Sequence, residues 1–207
     1  MVTYKGLPGP VICDYLAREA SRGLYAGDTT FQIGRIEMVS NTGTYLDTPF
    51  HRYEDGADLS CVPLEAVTQL PGLMVRCDAL AIGPEAFAGL DVAGRAVLVH
   101  TGWDRHWRSE AYLTGHPFLT EAAAIHLREA GAALVGIDSH NIDDTAGKAR
   151  PVHTVLLRAG IPIVEHLTNL GQLPDSGFIF NAPPPRVKGM GTFPVRAHAV
   201  IDAVIGG

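Results

Sequence analysis

The hydrophobic pattern of this chain changes period several times, and each change marks an element. Residues 95–101 (RAVLVHT) are too dense in Val and Leu for a strand with one wet face, so they predict a β-run buried on both sides. Residues 72–78 (GLMVRCD), 133–138 (ALVGID) and 178–181 read as further strands, and residues 31–39 (FQIGRIEMV) as a strand entering a polar loop. One long final strand is expected over residues 195–205. The period becomes helical from Thr120 (TEAAAIHLREAGA), with Thr120 as cap, Glu121 in the first turn and Gly131 as terminator. A short helix over residues 14–21, capped by Asp14, is also expected. Residues 183–185, three prolines, can only run extended. Helices alternating with strands in the middle and β-rich ends predict one mixed α/β domain over residues 1–207.

The segment from His153 to Glu165 folds back on itself. Residues 152–159 (VHTVLLRA) read as a short helix, Gly160 as its left-handed stop and residues 161–165 (IPIVE) as a strand. Six helical residues climb ~9 Å at 1.5 Å each. Four strand residues descend about 13 Å at about 3.3 Å each. An imidazole therefore finishes beside a carboxylate, a pairing suited to a divalent metal or to proton transfer.

A second polar cluster lies upstream, Asn41-x-Gly43-Thr44-Tyr45-x-Asp47-x-Pro49-x-His51. Gly43 and Pro49 argue against a helix, and Pro49 pushes Thr48 toward extended geometry. If residues 47–51 are extended, alternation places Asp47 and His51 on one side. An acid and a base then face the same space from a loop, where catalytic groups concentrate.

This cluster resembles the signature of the cyclase-like metal-dependent hydrolases, the family of bacterial kynurenine formamidase and isatin hydrolase, which reads His-x-Gly-Thr-His-x-Asp-x-Pro-x-His. The residues Gly136-Ile137-Asp138-Ser139, His153, Glu165 and Gly191-Thr192-Phe193-Pro194 are similar to that family's later landmarks, so the resemblance spans roughly residues 10–205. It implies the swivelling β/β/α fold, a homodimer or homotetramer, and hydrolysis of an aryl formamide such as N-formylkynurenine or a cyclic amide. It also implies a metal held by Asp47, His153 and Glu165, with His51 as the catalytic histidine. The chain departs from the signature at Asn41 and Tyr45, which replace two ligand histidines. A neutral amide oxygen and a phenol are poor zinc ligands. The expectation is therefore one divalent ion, zinc or manganese, or none, rather than two.

Composition narrows the classes. Net charge is −6 with both signs interleaved, leaving no basic stripe for nucleic acid or an anionic membrane. No apolar run approaches the ~20 residues of a membrane helix, and the first residues lack a signal-peptide pattern, so a cytoplasmic protein is expected. Cys13, Cys61 and Cys77 form no metal or disulfide pattern and are expected as buried reduced thiols. His106, His116, His126, His166 and His198 lack partner patterns and are expected as surface or satisfied structural groups. Phe50, Trp103 and Trp107 are candidates for an aromatic substrate wall, and Ser139 ends a buried strand near the expected site. Tyr45 could be a wall aromatic or an oxyanion donor, and Asn41 a polarising amide.

The chain carries no Gly-x-Ser-x-Gly elbow, His-Glu-x-x-His or phosphate loop. The expected activity is hydrolysis of a small non-peptide amide, with His51 as general base and Asp47 as metal ligand or His51 orienter. Two alternatives stay open: a lactonase or ring-closing cyclase, and a small-molecule binder without chemistry.

Overall fold

Strands alternate with helices in the middle of the chain and the ends are β-rich, as expected. The computed structural model describes residues 4–201. In chain order come β1 (Val11–Leu16), β2 (Ile33–Glu37), β3 (Tyr45–Asp47), β4 (Leu70–Arg76), β5 (Ala81–Ile82), β6 (Ala96–His100) and β7 (Phe118–Leu119). They are followed by α1 (Glu121–Glu129), β8 (Leu134–Ile137), α2 (Pro151–Arg158), β9 (Ile163–Glu165), β10 (Ser176–Asn181), β11 (Thr192–Pro194) and β12 (His198–Ile201). The Thr120 side chain accepts the Ala123 N–H and caps α1.

Eight strands form one sheet in the order β11-β3-β9-β8-β6-β4-β10-β12. The central four are parallel, and the strands outside them are antiparallel. Alternation along the central strands gives two cores. Val97, Val99, Val135, Ile137 and Ile163 meet Ala123, Leu127, Val152 and Leu156 of the helices. Ala96, Leu98, Leu134 and Val164 face the other way, toward Leu46, Met74, Phe178 and Phe180. The run at residues 95–101 is buried on both faces because each face has its own core.

Of the strand expected over residues 195–205, only β12 forms among the described residues; residues 195–197 are a link from β11, which ends at Pro194. β11 lies on one edge of the sheet and β12 on the other, with only residues 195–197 between them. Four Cα steps reach no more than ~13 Å at about 3.3 Å each. The sheet must therefore curl until its edges nearly meet, with Val195 and Ala197 packed on the second core as the link crosses. Positions 202–205 of that expected strand lie outside the described residues.

The expected helix at residues 14–21 is also corrected. Val11–Leu16 pairs antiparallel with Ile33–Glu37, and only a 3-10 turn follows at Glu19–Ser21. Asp14 caps nothing; it accepts the Gln32 side-chain amide across the ribbon. This ribbon is exposed along its length, with Ile12 and Tyr15 at 76% and 77% exposure. Cys13 lies on it and is exposed, as is Cys61, and Cys77 is half-buried, so the thiols are not the buried set expected. Among the described residues no helix is long and apolar enough to cross a membrane.

At Gly72 on β4, an added methyl would sit 1.9 Å from the Phe178 ring, which is buried on β10. Gly72→Ala is expected to lower stability by about 1–3 kcal/mol, the usual cost of overpacking a core. A thermal or urea melt checks this; an unchanged midpoint would show that Phe178 can move aside.

Candidate metal and proton-transfer site

Sheet register builds the site. On β11, β3 and β9, Thr192 lies opposite Asp47, and Tyr45 lies opposite Glu165. Directly opposed residues share a face, as do Tyr45 and Asp47 two residues apart. The intervening Leu46 and Val164 point to the second core. Helix α2 brings His153 to the polar group, and Gly160 ends the turn after it at φ +78°. The fold-back expected from residues 152–165 closes to contact distance.

His153 Nε2 lies 3.6 Å from Asp47 Oδ2 and 3.7 Å from Glu165 Oε1. Its Nδ1 lies 2.6 Å from Asp143 Oδ2. Asp143 also accepts the N–H groups of Val152 and His153 at 2.7 and 3.1 Å, fixing helix end and ring together. Nδ1–H is thereby committed to Asp143, and Nε2 faces the other two acids. Asp47 Oδ2 is buried and has no hydrogen-bond partner. Metal bonds of ~2.1 Å in a tetrahedron separate ligand atoms by about 3.4 Å. The observed separations and the orphaned oxygen fit a divalent ion. Asp47, His51 and His153 also form a group with one ligand atom each within 4.8 Å of one another, and Glu165 joins it through His153.

Three buried carboxylates thus meet one imidazole. Burial alone pulls the His153 imidazolium down, but Glu165, Asp143 and Asp47 outweigh it and push the group up to about 10. Burial drives Glu165 upward, with the Asp47 charge adding to it while His153 opposes.

The second Glu165 oxygen is occupied differently. Tyr45 donates its hydroxyl to Glu165 Oε2 at 2.5 Å. The Tyr4 hydroxyl is 2.8 Å from that of Tyr45, and Asn141 Nδ2 donates to Tyr4 at 2.7 Å. The Asp143 N–H donates to Asn141 Oδ1, which fixes the amide orientation. With its own proton on Glu165, Tyr45 must accept from Tyr4, so the chain runs one way, Asn141 to Tyr4 to Tyr45 to Glu165. His166 extends it: its ring lies 3.3 Å from the Tyr45 hydroxyl and 2.8 Å from that of Tyr112. Burial, then His140 and His116, hold His166 well below its ordinary range, so it is neutral. Tyr45 is therefore neither a plain wall aromatic nor an idle phenol; it caps a carboxylate.

These groups open into a cavity of ≈ 240 Å³ lined by His51, His153 and Glu165, by Asn41 and Tyr45, and by Tyr4, Asn141, Arg52 and Arg150. Residues 47–51 are not extended. Thr48 is, as Pro49 requires, but Pro49–His51 forms a 3-10 turn with Pro at its start. The turn still brings His51 Nδ1 to 3.5 Å from Asp47 Oδ1.

Three expected substrate contacts lie elsewhere. Ser139 is buried and donates to the Pro117 carbonyl at 2.5 Å, beside His116. Trp103 donates to the Tyr112 carbonyl and packs on His106. Phe50 is half-buried on the His51 turn and, like these two, does not line the cavity. Trp107 stands nearer, 5.0 Å from Tyr112 and 5.8 Å from His166. Tyr4, Arg52 and Arg150 were missed by sequence reasoning, whereas Asn141 and Asp143 belong to the polar loop of residues 140–144 just before the His153 helix, which reads from sequence either as functional or as turn and capping chemistry.

Buried acids and two histidines around an open cavity define a site suited to a divalent cation and proton transfer, on a curled mixed α/β fold. The chain belongs to the cyclase family, whose model matches residues 10–144. It is 29% identical over 167 residues to a kynurenine formamidase of Geobacillus thermodenitrificans, covering 80% of this chain and 78% of that one. A kynurenine formamidase of Salinibacter ruber is 28% identical over 176 residues, covering 82% and 80%. In fold it is similar to isatin hydrolase A from Labrenzia aggregata, with a TM-score of 0.80 at 24% identity over 96% of this chain and 85% of that one. A predicted metal-dependent hydrolase from Bacillus stearothermophilus gives a TM-score of 0.70 at 27% identity, covering 94% and 92%.

Because His153 is raised to about 10, its Nε2 carries a proton at neutral pH in the metal-free protein, and a metal must displace it. Zn²⁺ uptake at about pH 8 is expected to release close to one proton. Apparent affinity should rise roughly tenfold per pH unit until that pKa is approached. Calorimetry in buffers of different ionisation heat checks this; uptake with no proton release would contradict the assignment of His153 as ligand.

Proposed function

We propose that this chain hydrolyses a carbon–nitrogen bond in a small aryl amide, an aryl formamide such as N-formylkynurenine or a related cyclic amide. The observation that carries the reading is the unpartnered Asp47 Oδ2 facing His153 Nε2, with Glu165 Oε1 alongside and His51 next to them. The kynurenine formamidases among its relatives support the substrate class.

One zinc or manganese ion held by Asp47, His153 and Glu165 would supply Lewis-acid polarisation of the carbonyl and activation of a water. The chain's own residues do the rest. His51 takes the proton of the attacking water and returns it to the departing nitrogen, acting first as general base and then as general acid. Asp143 fixes the His153 ring, as outer-shell carboxylates do for ligand histidines. Arg150 is anchored by its contacts to the carbonyls of Asp144, Gly147 and Ala149 at 3.0, 3.0 and 2.7 Å. With Arg52 it puts positive charge on the cavity, suited to a substrate carboxylate.

We also take the protein to be a cytoplasmic homodimer or homotetramer. The exposed β1–β2 ribbon supports self-association, since a lone two-stranded ribbon is marginally stable in water. Light scattering reading only the 22.1 kDa mass of one chain would remove that part.

Turnover of an aryl formamide bearing a carboxylate is expected to exceed that of its neutral analogue. A chelator should abolish it and Zn²⁺ or Mn²⁺ restore it, and His51→Gln should lower kcat by about 10²–10⁴-fold. Full turnover by His153→Ala would overturn the reading. Faster cleavage of a matched lactone would move the chain to the lactonase alternative, and binding with no turnover of any amide, lactam or lactone would make it a binder.

A further inference from the structure

Thr192 sits between the two groups on which the proposed chemistry depends. Its hydroxyl donates to Asp47 Oδ1 in a very short contact. The same oxygen lies 2.8 Å from His51 Nδ1. A hydroxyl has one proton, and the very short contact to Asp47 Oδ1 takes it. His51 Nδ1 must then be the donor to Thr192 Oγ1. The two bonds run in one direction, from His51 Nδ1–H to Thr192 and from Thr192 to Asp47.

The backbone is shaped to allow this. Gly191 precedes Thr192, and a methyl on it would lie 2.2 Å from the His51 nitrogen and 2.5 Å from its Cα. These are backbone atoms that cannot swing away, so only glycine lets β11 lie against the His51 turn. Two hydrogen bonds hold the contact, from the Thr48 N–H and the Thr48 hydroxyl to the Gly191 carbonyl at 2.8 and 3.0 Å. Pairing of Thr192 with Asp47 across the ladder sets the remaining coordinate.

We propose that Thr192 is a positioning residue that fixes the His51 tautomer. By accepting Nδ1–H it keeps Nε2 as the unprotonated nitrogen available to a substrate water. By donating to Asp47 Oδ1 it leaves Oδ2, the oxygen without a partner, for the cation. The functional part rests on the hydrolase reading above, but the tautomer itself does not.

The test uses the full chain loaded with diamagnetic Zn²⁺ and labelled with ¹⁵N-histidine. The imidazole ¹⁵N–¹H correlation of His51 is assigned by its loss in His51→Gln. Wild type and Thr192→Ser are expected to show His51 protonated on Nδ1, and Thr192→Val to move the proton to Nε2. In parallel, Thr192→Val should lower kcat by about 10- to 100-fold, a share of what a general base contributes. KM and zinc content should hold, and Thr192→Ser should restore most of the rate. An Nε2–H tautomer in the wild type, or an unchanged tautomer in Thr192→Val, overturns the proposal. Loss of zinc with the tautomer intact also overturns it, because the hydroxyl would then serve Asp47 alone. The expected tautomers with no turnover of any amide would leave the relay standing and defeat the hydrolase reading instead.

Discussion

Asp47, Asp143 and Glu165 are buried around the single ring of His153, and that concentration of negative charge governs the rest of the site. Even with His153 protonated, more negative than positive charge stays out of water, which is costly unless each oxygen is satisfied. The surroundings answer oxygen by oxygen. Asp143 is spent on the α2 N-terminus and on His153 Nδ1. Asp47 Oδ1 takes the Thr192 hydroxyl, and Glu165 Oε1 takes the Ile142 N–H at 2.6 Å. Glu165 Oε2 takes the Tyr45 hydroxyl. Asp47 Oδ2 is left over, 3.6 Å from His153 Nε2.

This accounting gives physical meaning to the two departures from the family signature. Where the signature has histidines, this chain has Asn41 and Tyr45, and both still line the cavity. Tyr45 supplies Glu165 Oε2 with a hydroxyl proton. Tyr4, itself receiving the Asn141 amide, and His166 meet that hydroxyl and polarise it toward the carboxylate. A hydrogen-bond network thus satisfies one Glu165 oxygen, while Asp47 Oδ2 opposite His153 Nε2 stays open.

What could be read from the sequence was local. The fold-back from His153 to Glu165 was legible because helix rise, a glycine stop and strand rise fix it within a few residues. The cap at Thr120 and the doubly buried strand around Leu98 were legible for the same reason. The turn at Pro49–His51 was not, because Pro49 restricts Thr48 yet leaves the next residues free to coil. The apolar pattern from residue 195 onward does not change, so it reads as strand from the start, whereas residues 195–197 form the link that carries the chain from β11 on one sheet edge to β12 on the other. Tyr4 meets Asn141 across 137 positions, and Thr192 meets Asp47 across 145. No periodicity encodes such contacts. They follow only from strand register and from the close approach that Gly191 permits.

The central proposal is that the chain holds one divalent cation at Asp47, His153 and Glu165, and not two. Elemental analysis of protein purified without chelator measures this directly. The account predicts one equivalent per chain, rising toward two when Asn41→His and Tyr45→His are combined. Two equivalents in the unaltered chain, or none after exposure to excess Zn²⁺ and Mn²⁺, would contradict it.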